Sequence, residues 1–306
     1  DQLAVEITQS SDAPNGFANS LKIDTTTAET TLDSDEYVRL MYQIEGQDLQ
    51  QLAYGTSAAQ SLSISFWVKS SVTGTYATTI YQFDGNDNIG STYTINTANT
   101  WEYKTITFAG NTAAVIANDN TAGLLINFFL IAGSDYTSTD NTSWGSYSGA
   151  RFAYGHAVEV GTSTSDDFYI TGVQLVAGNY PDGLPFMHWS YGEELALCQR
   201  YFERISTEDA YGFFGSGTAY DSNTGTVGIT YAKKRAEPTI TPSAASDFKV
   251  QHGTTSMACT SIASIQYGLD RALVDANGSS GLTAGSGVIF IADNDATAYL
   301  DVNAEL

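Results

Sequence analysis

Basic residues are scarce in this sequence. Its 306 residues include 12 Lys and Arg against 34 Asp and Glu, a formal charge of −22 at neutral pH. Binding to a phosphate backbone requires a basic surface, and an anionic lipid surface repels a protein with this charge. The composition therefore excludes nucleic-acid binding and argues against attachment to a membrane surface.

Cysteines and long apolar runs are also few. The two cysteines, Cys198 and Cys259, lie far apart, form no metal-binding spacing, and are compatible with one disulfide or none. No apolar run approaches the roughly 18 residues that a membrane span needs, so membrane insertion is not expected. The chain opens DQLAVEI without an initiator Met, which predicts that it begins inside a domain and is incomplete at its N terminus.

Helical periodicity is missing from residues 1–185, where short strand patterns alternate with turn residues. In QSLSISFWVKS, residues 62, 64, 66 and 68 are apolar, whereas Ser63, Ser65, Trp67 and Lys69 face the other way. LLINFFLI is apolar on both faces, which is typical of a central strand buried on both sides. Strands at this spacing predict a mostly β fold, an antiparallel jelly-roll sandwich.

One amphipathic helix is predicted after Pro185, within SYGEELALCQRYFERI. Ser190 and Glu193 have the spacing of a capping box. An apolar stripe predicted for oligomerisation or packing consists of Leu195, Cys198, Phe202 and Ile205. Strand patterns then return, so we expect a jelly-roll domain at 1–185, a linking helix at 186–206 and a smaller β domain at 207–306.

Catalytic motifs are absent from the sequence. The three His residues have no partner spacing that suggests a triad or a zinc site. The pattern closest to a nucleophile elbow is GSYSG, in which Tyr147 occupies the nucleophile position. We therefore predict that the protein is not an enzyme, although two of its many carboxylates could form a glycosidase pair.

A possible cation site lies in FDGNDNIGS, which places Asp84, Asn86 and Asp87 in one short segment. Clustered oxygen ligands suit Ca²⁺, yet Asp, Asn and Gly are also the residues that hairpin turns demand. No other cofactor is expected.

The loop 133–155 is the most suggestive stretch for ligand binding. It combines aromatic residues with hydroxyl and carboxylate groups, which suit stacking and hydrogen bonding to sugar rings. The predicted ligand-binding residues are Trp144, Tyr136, Tyr147, Asp135 and Asp140. The alternative is that these aromatic side chains fold inward and anchor the loop, or contact a neighbouring subunit.

The region around the predicted helix resembles a segment of virion proteins of tailed bacteriophages, especially tail-fibre proteins of marine phages. In those proteins a last sandwich strand with G-V-Q-L-E-x-G leads through P-F-x-x-R-S-Y-G-E-E-L to a helix with L-C-Q-R-Y-Y. The matching residues here are GVQL at 172–175, PF at 185–186, SYGEEL at 190–195 and LCQRY at 197–201. The departures from the pattern are Val176, Trp189 and Phe202.

The resemblance extends over most of the chain. Segments around 42–70, 96–110 and 124–144 are similar to the carbohydrate-binding-module-like jelly roll of the same proteins, and ATAYLDVNAEL is similar to their C terminus. The resemblance implies a structural virion component, a homotrimer that contacts other virion proteins, without known catalytic residues.

Three functions remain as hypotheses at this stage. The first is a tail-fibre or appendage protein, located in the virion, whose jelly roll attaches to host-surface glycans. The second is a capsid decoration or head-fibre protein with a purely structural role. The third is a depolymerase that cleaves the same glycans.

Overall fold

The computed structural model describes residues 3–306, which form two compact units. The N-terminal unit ends at Met187, and the C-terminal unit spans His188–Leu306. Each unit has its own hydrophobic core. No helix in the described part of the chain is long and apolar enough to cross a bilayer.

The N-terminal unit is an antiparallel jelly-roll sandwich of two five-stranded sheets. The strand order is β1-β2-β10-β4-β7 in the first sheet and β3-β8-β5-β6-β9 in the second. The strands are β1 (Ala4–Ser10), β2 (Ser20–Thr27), β3 (Tyr37–Glu45), β4 (Leu62–Ser70), β5 (Gly74–Gln82), β6 (Asp87–Ile95), β7 (Glu102–Phe108), β8 (Ala122–Ala132), β9 (Gly145–Ser146) and β10 (Asp167–Ala177). A short helix, α1 (Ser134–Thr137), follows β8.

Alternation along β4 shows why these residues form a sandwich. Leu62, Ile64, Phe66 and Val68 are buried between the sheets, because side chains on a strand point alternately to its two faces. Burying each of these side chains stabilises the fold by about 1.5–3 kcal/mol. The strand pattern predicted for this segment is confirmed.

Strand β8 is buried on both faces, as LLINFFLI predicted. One face contributes Leu124, Ile126, Phe128 and Leu130 to the main core. On the other face, Phe129 packs in a small separate cluster with Phe152, Ala77 and Ala153. The segment that follows β8 therefore covers the outer surface of the second sheet.

The C-terminal unit consists of a closed barrel and a three-stranded sheet. The barrel order is β12-β13-β17-β16-β15-β18, and the small sheet has the order β11-β19-β14. The strands are β11 (Phe202–Ser206), β12 (Phe213–Ala219), β13 (Thr224–Thr230), β14 (Thr239–Pro242), β15 (Phe248–His252), β16 (Thr255–Tyr267), β17 (Arg271–Gly278), β18 (Gly287–Ala292) and β19 (Tyr299–Asn303). Both cysteines are free, Cys259 in the barrel core and Cys198 on the surface.

The predicted helix exists but is shorter than its apolar spacing suggested. Helix α2 spans Tyr191–Gln199. The predicted capping box is confirmed, since the Ser190 backbone N–H and hydroxyl both donate to Glu193 Oε2, at 3.1 and 2.6 Å. At the other end of the helix, Lys234 Nζ donates to the carbonyl of Gln199 at 2.6 Å.

The prediction that Phe202 and Ile205 extend the helical stripe is wrong. Both lie on β11, which pairs with β19 through Phe202–Asn303 and Ile205–Leu300. Because they are three residues apart on a strand, they point to opposite faces: Ile205 packs on the barrel core, and Phe202 is exposed. Pairing with β19, which partly buries Ile205 against the core, therefore outweighs the helical spacing of these residues.

The remaining two residues of the predicted stripe, Leu195 and Cys198, do lie on α2 and are exposed. Leu195 is 39% exposed, and the neighbouring Leu197 is 52% exposed. The helix therefore presents apolar side chains to solvent within this chain.

Candidate functional site

The outer face of the first sheet presents two neighbouring aromatic rings. Trp67 on β4 is paired directly with Tyr103 on β7, and residues opposite each other in an antiparallel sheet project from the same face. Their ring centroids lie 5.3 Å apart with a tilt of 50°. Trp67 is half-buried and Tyr103 is 38% exposed.

The chain crosses this face again after β10, along residues 178–187, here called the crossing segment. The Gly178 N–H donates to the carbonyl of Ser61 at 2.6 Å, and the Tyr180 N–H donates to Ser63 Oγ at 2.9 Å. Farther along, Tyr103 Oη donates to the carbonyl of Leu184 at 3.3 Å. These bonds hold the crossing segment against β4 and β7.

Two further contacts hold the end of the crossing segment against β10. Gln174 Nε2 donates to the carbonyl of Pro185 at 3.3 Å, and the Met187 N–H donates to Gln174 Oε1 at 2.7 Å. The ring of Phe186 packs edge-on against Phe17, with centroids 5.0 Å apart. The crossing segment is thereby fixed at both ends on the sheet.

Gly183 allows the crossing segment to approach the aromatic pair closely. Its φ of +73° lies in the left-handed region that favours glycine. A Cβ atom at this position would lie 2.4 Å from Tyr103 Oη and 2.9 Å from Thr105 Oγ1. Any other residue would force either the Tyr103 side chain or the crossing segment to move.

A cleft of about 460 Å³ lies between the aromatic pair and the crossing segment, within the size range of small-ligand sites. Its lining combines aromatic faces with a hydroxyl and a carboxylate, an arrangement suited to a polyol with one apolar face. The residues that supply these groups are Trp67, Tyr103, Ser65, Asp182 and Phe186.

The predicted ligand-binding loop lies on the opposite side of the sandwich, over the second sheet. Trp144 Nε1 donates to the carbonyl of Ala109 at 2.6 Å, and the indole packs edge-on against Tyr54 at 5.8 Å. Tyr136 and Tyr147 pack against Phe152, with centroids 6.1 and 5.5 Å away. The aromatic side chains of this loop therefore anchor it to the sheet.

The polar residues of the same loop also have internal partners. Asp135 Oδ2 accepts from Ser34 Oγ at 3.2 Å. Asp140 Oδ1 accepts from the Thr142 N–H at 2.8 Å, a bond that lowers the pKa of the Asp140 carboxyl. Arg151 donates to the carbonyls of Asp140 and Ser143, both at 2.8 Å. Sugar binding by this loop stays a prediction, and it would compete with these contacts.

Asp84 and Asn86 lie in the turn between β5 and β6, and Asp87 is the first residue of β6; each of these candidate calcium residues has a different partner. Asp84 Oδ2 accepts from the Ala117 N–H at 2.9 Å, and Asp87 Oδ2 accepts from Asn111 Nδ2 at 3.0 Å. Asn86 Oδ1 accepts from Tyr81 Oη at 2.9 Å. No group of three or more His, Cys, Asp or Glu within residues 3–306 has an arrangement that could hold a metal ion. An oxygen of each candidate residue is thus engaged within the chain, and calcium binding stays a prediction.

Trp67 and Tyr103 were not singled out as binding residues from the sequence. A signal was nevertheless present, because the alternation of β4 places Trp67 on the face opposite the core residues. Together with Tyr103, Trp67 forms the kind of contiguous aromatic surface that can mark a binding site. The crossing segment had no comparable sequence signal, since its contacts join residues far apart in the chain.

No protein-family model and no curated protein matches this sequence. Among solved structures, the enzymatically active domain of tailspike protein 4 from bacteriophage CBA120 is 16% identical, with a TM-score of 0.30. The alignment covers 56% of this chain and 18% of that one.

Two carbohydrate-binding structures show similarity at the same level. The family 11 carbohydrate-binding module of a Clostridium thermocellum cellulosomal cellulase is 14% identical, with a TM-score of 0.30, over 58% of this chain and 84% of that one. A tandem of two family 22 modules from Paenibacillus barcinonensis is 11% identical, with a TM-score of 0.30, over 100% and 93% of the two chains. Similarities at this level identify neither a family nor a site, so the assignment below depends on contacts within the chain.

Proposed function

We propose that the N-terminal unit binds glycans in the cleft beneath the crossing segment. The observation that carries this proposal is the pair of aromatic rings, Trp67 and Tyr103, side by side in the cleft on the outer face of the first sheet. An aromatic face binds the C–H face of a sugar ring, while Asp182 and Ser65 offer acceptors for its hydroxyl groups. One carboxylate lines the cleft, whereas glycoside hydrolysis generally uses two, which favours binding over cleavage.

In the wider proposal, the chain is a non-enzymatic virion protein of a tailed bacteriophage that attaches the particle to host-surface glycans. The support for this is the motif at 172–201, which resembles tail-fibre proteins. A capsid decoration or head-fibre protein without a glycan ligand is the alternative. Cryo-electron microscopy of virions with labelled protein decides between tail and capsid locations.

We further propose that the protein acts as a homotrimer and contacts other virion proteins. The resemblance supports this, as do Leu195 and Leu197, which α2 exposes to solvent. Each aromatic contact contributes about 1 kcal/mol, so one cleft alone should bind a short oligosaccharide weakly. Three clefts on one trimer would raise the avidity if they reach one surface together. Light scattering that gives a monomer mass at micromolar concentration would contradict the trimer.

Alanine variants of the aromatic residues test the glycan site. Trp67→Ala and Tyr103→Ala should each weaken binding on a glycan array about fivefold, because each removes a stacking contact of about 1 kcal/mol. Tyr220→Ala removes an exposed ring from the C-terminal unit and serves as the matched control, with unchanged binding expected.

The melting temperature of every variant should be measured together with its binding. If the Trp67→Ala protein is unfolded, Trp67→Phe provides a more conservative variant of the same residue. Trp67→Phe should keep the fold and part of the affinity. Unchanged binding in a folded Trp67→Ala variant would exclude the cleft. If Trp144→Ala instead abolished binding while leaving the melting temperature unchanged, the loop 133–155 would be the site.

A further inference from the structure

We infer that the glycan bound in the cleft carries no anionic groups, so that the ligand is a neutral oligosaccharide and not a uronate, sulfated, sialylated or phosphorylated one. This inference rests on the proposed glycan-binding function and specifies its ligand class. It also rests on the contacts made by the five Lys and Arg side chains of the N-terminal unit.

Three of the five cations in that unit are held in ion pairs. Lys22 Nζ lies 3.0 Å from Asp24, and Lys104 Nζ lies 2.6 Å from Glu102. Lys69 is buried, pairs with Asp12, and lies over the ring of Tyr169. A lysine already neutralised by a carboxylate offers little attraction to an anionic ligand.

The two arginines of the unit are also engaged, on the second sheet and the loop that covers it. Arg39 donates to Asn127 Oδ1 at 2.6 Å, and its guanidinium lies 4.8 Å from the ring centroid of Phe152. Arg151 uses its guanidinium to bind the carbonyls of Asp140 and Ser143. The bidentate arginine contact that acidic sugars commonly use is therefore already occupied by the protein itself.

The N-terminal unit as a whole is negatively charged. Residues 1–187 contain 20 acidic and 5 basic residues, a net charge of −15. The charged residue in the cleft lining is Asp182. Salt screens charges only beyond a Debye length of about 8 Å at physiological ionic strength, so a carboxylate that lines the cleft would repel an anionic group bound there.

The aromatic pair adds to this selectivity. The faces of aromatic rings carry partial negative charge, and Trp67 and Tyr103 present such surfaces to the ligand. They attract C–H groups and repel carboxylates or sulfates. The hydroxyl groups of a neutral sugar, in contrast, can donate to Asp182 and Ser65.

The test uses the full chain on an array that prints neutral hexose oligosaccharides beside their sulfated and uronic acid counterparts. Neutral galactan oligosaccharides paired with sulfated galactans of the same linkage provide one such comparison. We expect each acidic counterpart to bind at least tenfold more weakly than its neutral partner at 0.05 M salt. Raising the salt to 0.5 M should narrow the difference, because it screens the repulsion.

Two charge variants locate the effect. Asp182→Asn removes the charge but retains a hydrogen-bond acceptor. It should reduce the ratio of the affinities for neutral and acidic glycans at least threefold. Glu159→Gln removes the same charge from the exposed surface of the segment beside the second sheet and should leave the difference unchanged.

The possible outcomes separate the inference from the proposed function. Acidic glycans that bind as tightly as neutral ones, with binding lost in Trp67→Ala, would overturn the inference and leave the glycan site in place. No binding to either member of any pair would overturn both.

Discussion

Acidification should destabilise the N-terminal unit through one buried histidine, His156. Its Nδ1 accepts the Ala77 N–H at 3.1 Å, and Nε2 is buried without a hydrogen-bond partner. The rings of Tyr76 and Phe129 lie 6.0 and 6.3 Å away. Burial in these apolar surroundings lowers the pKa of the His156 imidazole from 6.5 to about 4.

The size and sign of the effect follow from proton binding. Between pH 6.5 and 4 the unfolded chain binds a proton at this histidine that the folded chain does not, so stability decreases as the pH falls. A pKa difference of about 2.5 corresponds to about 3 kcal/mol, of which about 2 kcal/mol develops between pH 7 and 5. Typical domains have only about 5–15 kcal/mol of stability in total, so the loss should be measurable.

Urea unfolding of the full chain at pH 7, 6 and 5 measures this dependence, with the two units followed as separate transitions. His156→Gln removes the titrating group while keeping a polar side chain, and it should flatten the pH dependence of the N-terminal transition by about 2 kcal/mol. His252→Gln, in the C-terminal unit, is the control and should leave that transition unchanged. An N-terminal transition with the same pH dependence in His156→Gln and the wild type would refute the reasoning.

Three further substitutions test other contacts. Trp144→Ala removes the hydrogen bond to Ala109 and a half-buried ring, so thermal unfolding should show a loss of about 2 kcal/mol in stability. A melting temperature equal to that of the wild type would mean that Trp144 does not anchor its loop. Lys234→Met leaves Glu203 without its cation and the end of α2 without its hydrogen-bond donor. Urea unfolding of the C-terminal unit should show a loss of about 3 kcal/mol in stability. An unchanged free energy of unfolding would contradict the importance of this buried pair. Gly183→Ala places a Cβ atom against Tyr103 at a residue with positive φ, which should lower the stability of the N-terminal unit by about 1–2 kcal/mol. It should also weaken glycan binding measured by calorimetric titration. An unchanged affinity would show that binding does not depend on the position of the crossing segment.

Strands with strict alternation could be predicted from the sequence, because the two-residue period reports which side chains are buried. Strand β12 lacks such a pattern, since FFGSGTA contains glycines where the barrel wall needs close backbone approach. A Cβ atom at Gly217 would lie 1.9 Å from the carbonyl oxygen of Thr226 on β13. The position at which α2 ends could not be predicted from the sequence either. The residues after it form β11 because they pair with β19, which lies near the C terminus of the chain.

The candidate site also has one part that could be predicted from the sequence and another that could not. The outward direction of Trp67 is readable from β4 alone, and so is that of Tyr103 from β7. Their proximity depends on the pairing of two strands that are not consecutive, and the cleft depends on a crossing segment held by tertiary hydrogen bonds. The composition of the loop 133–155 led to the prediction that it binds a ligand. Composition, however, does not distinguish an aromatic residue that binds a ligand from one that covers a sheet.

A crystal structure of the full chain with a neutral oligosaccharide selected on the array tests the central claim most directly. We predict density for a sugar ring stacked on Trp67 and Tyr103, with a hydroxyl within hydrogen-bond distance of Asp182. Density for the sugar at the loop 133–155, or on the C-terminal unit with the cleft empty, would contradict the proposed site.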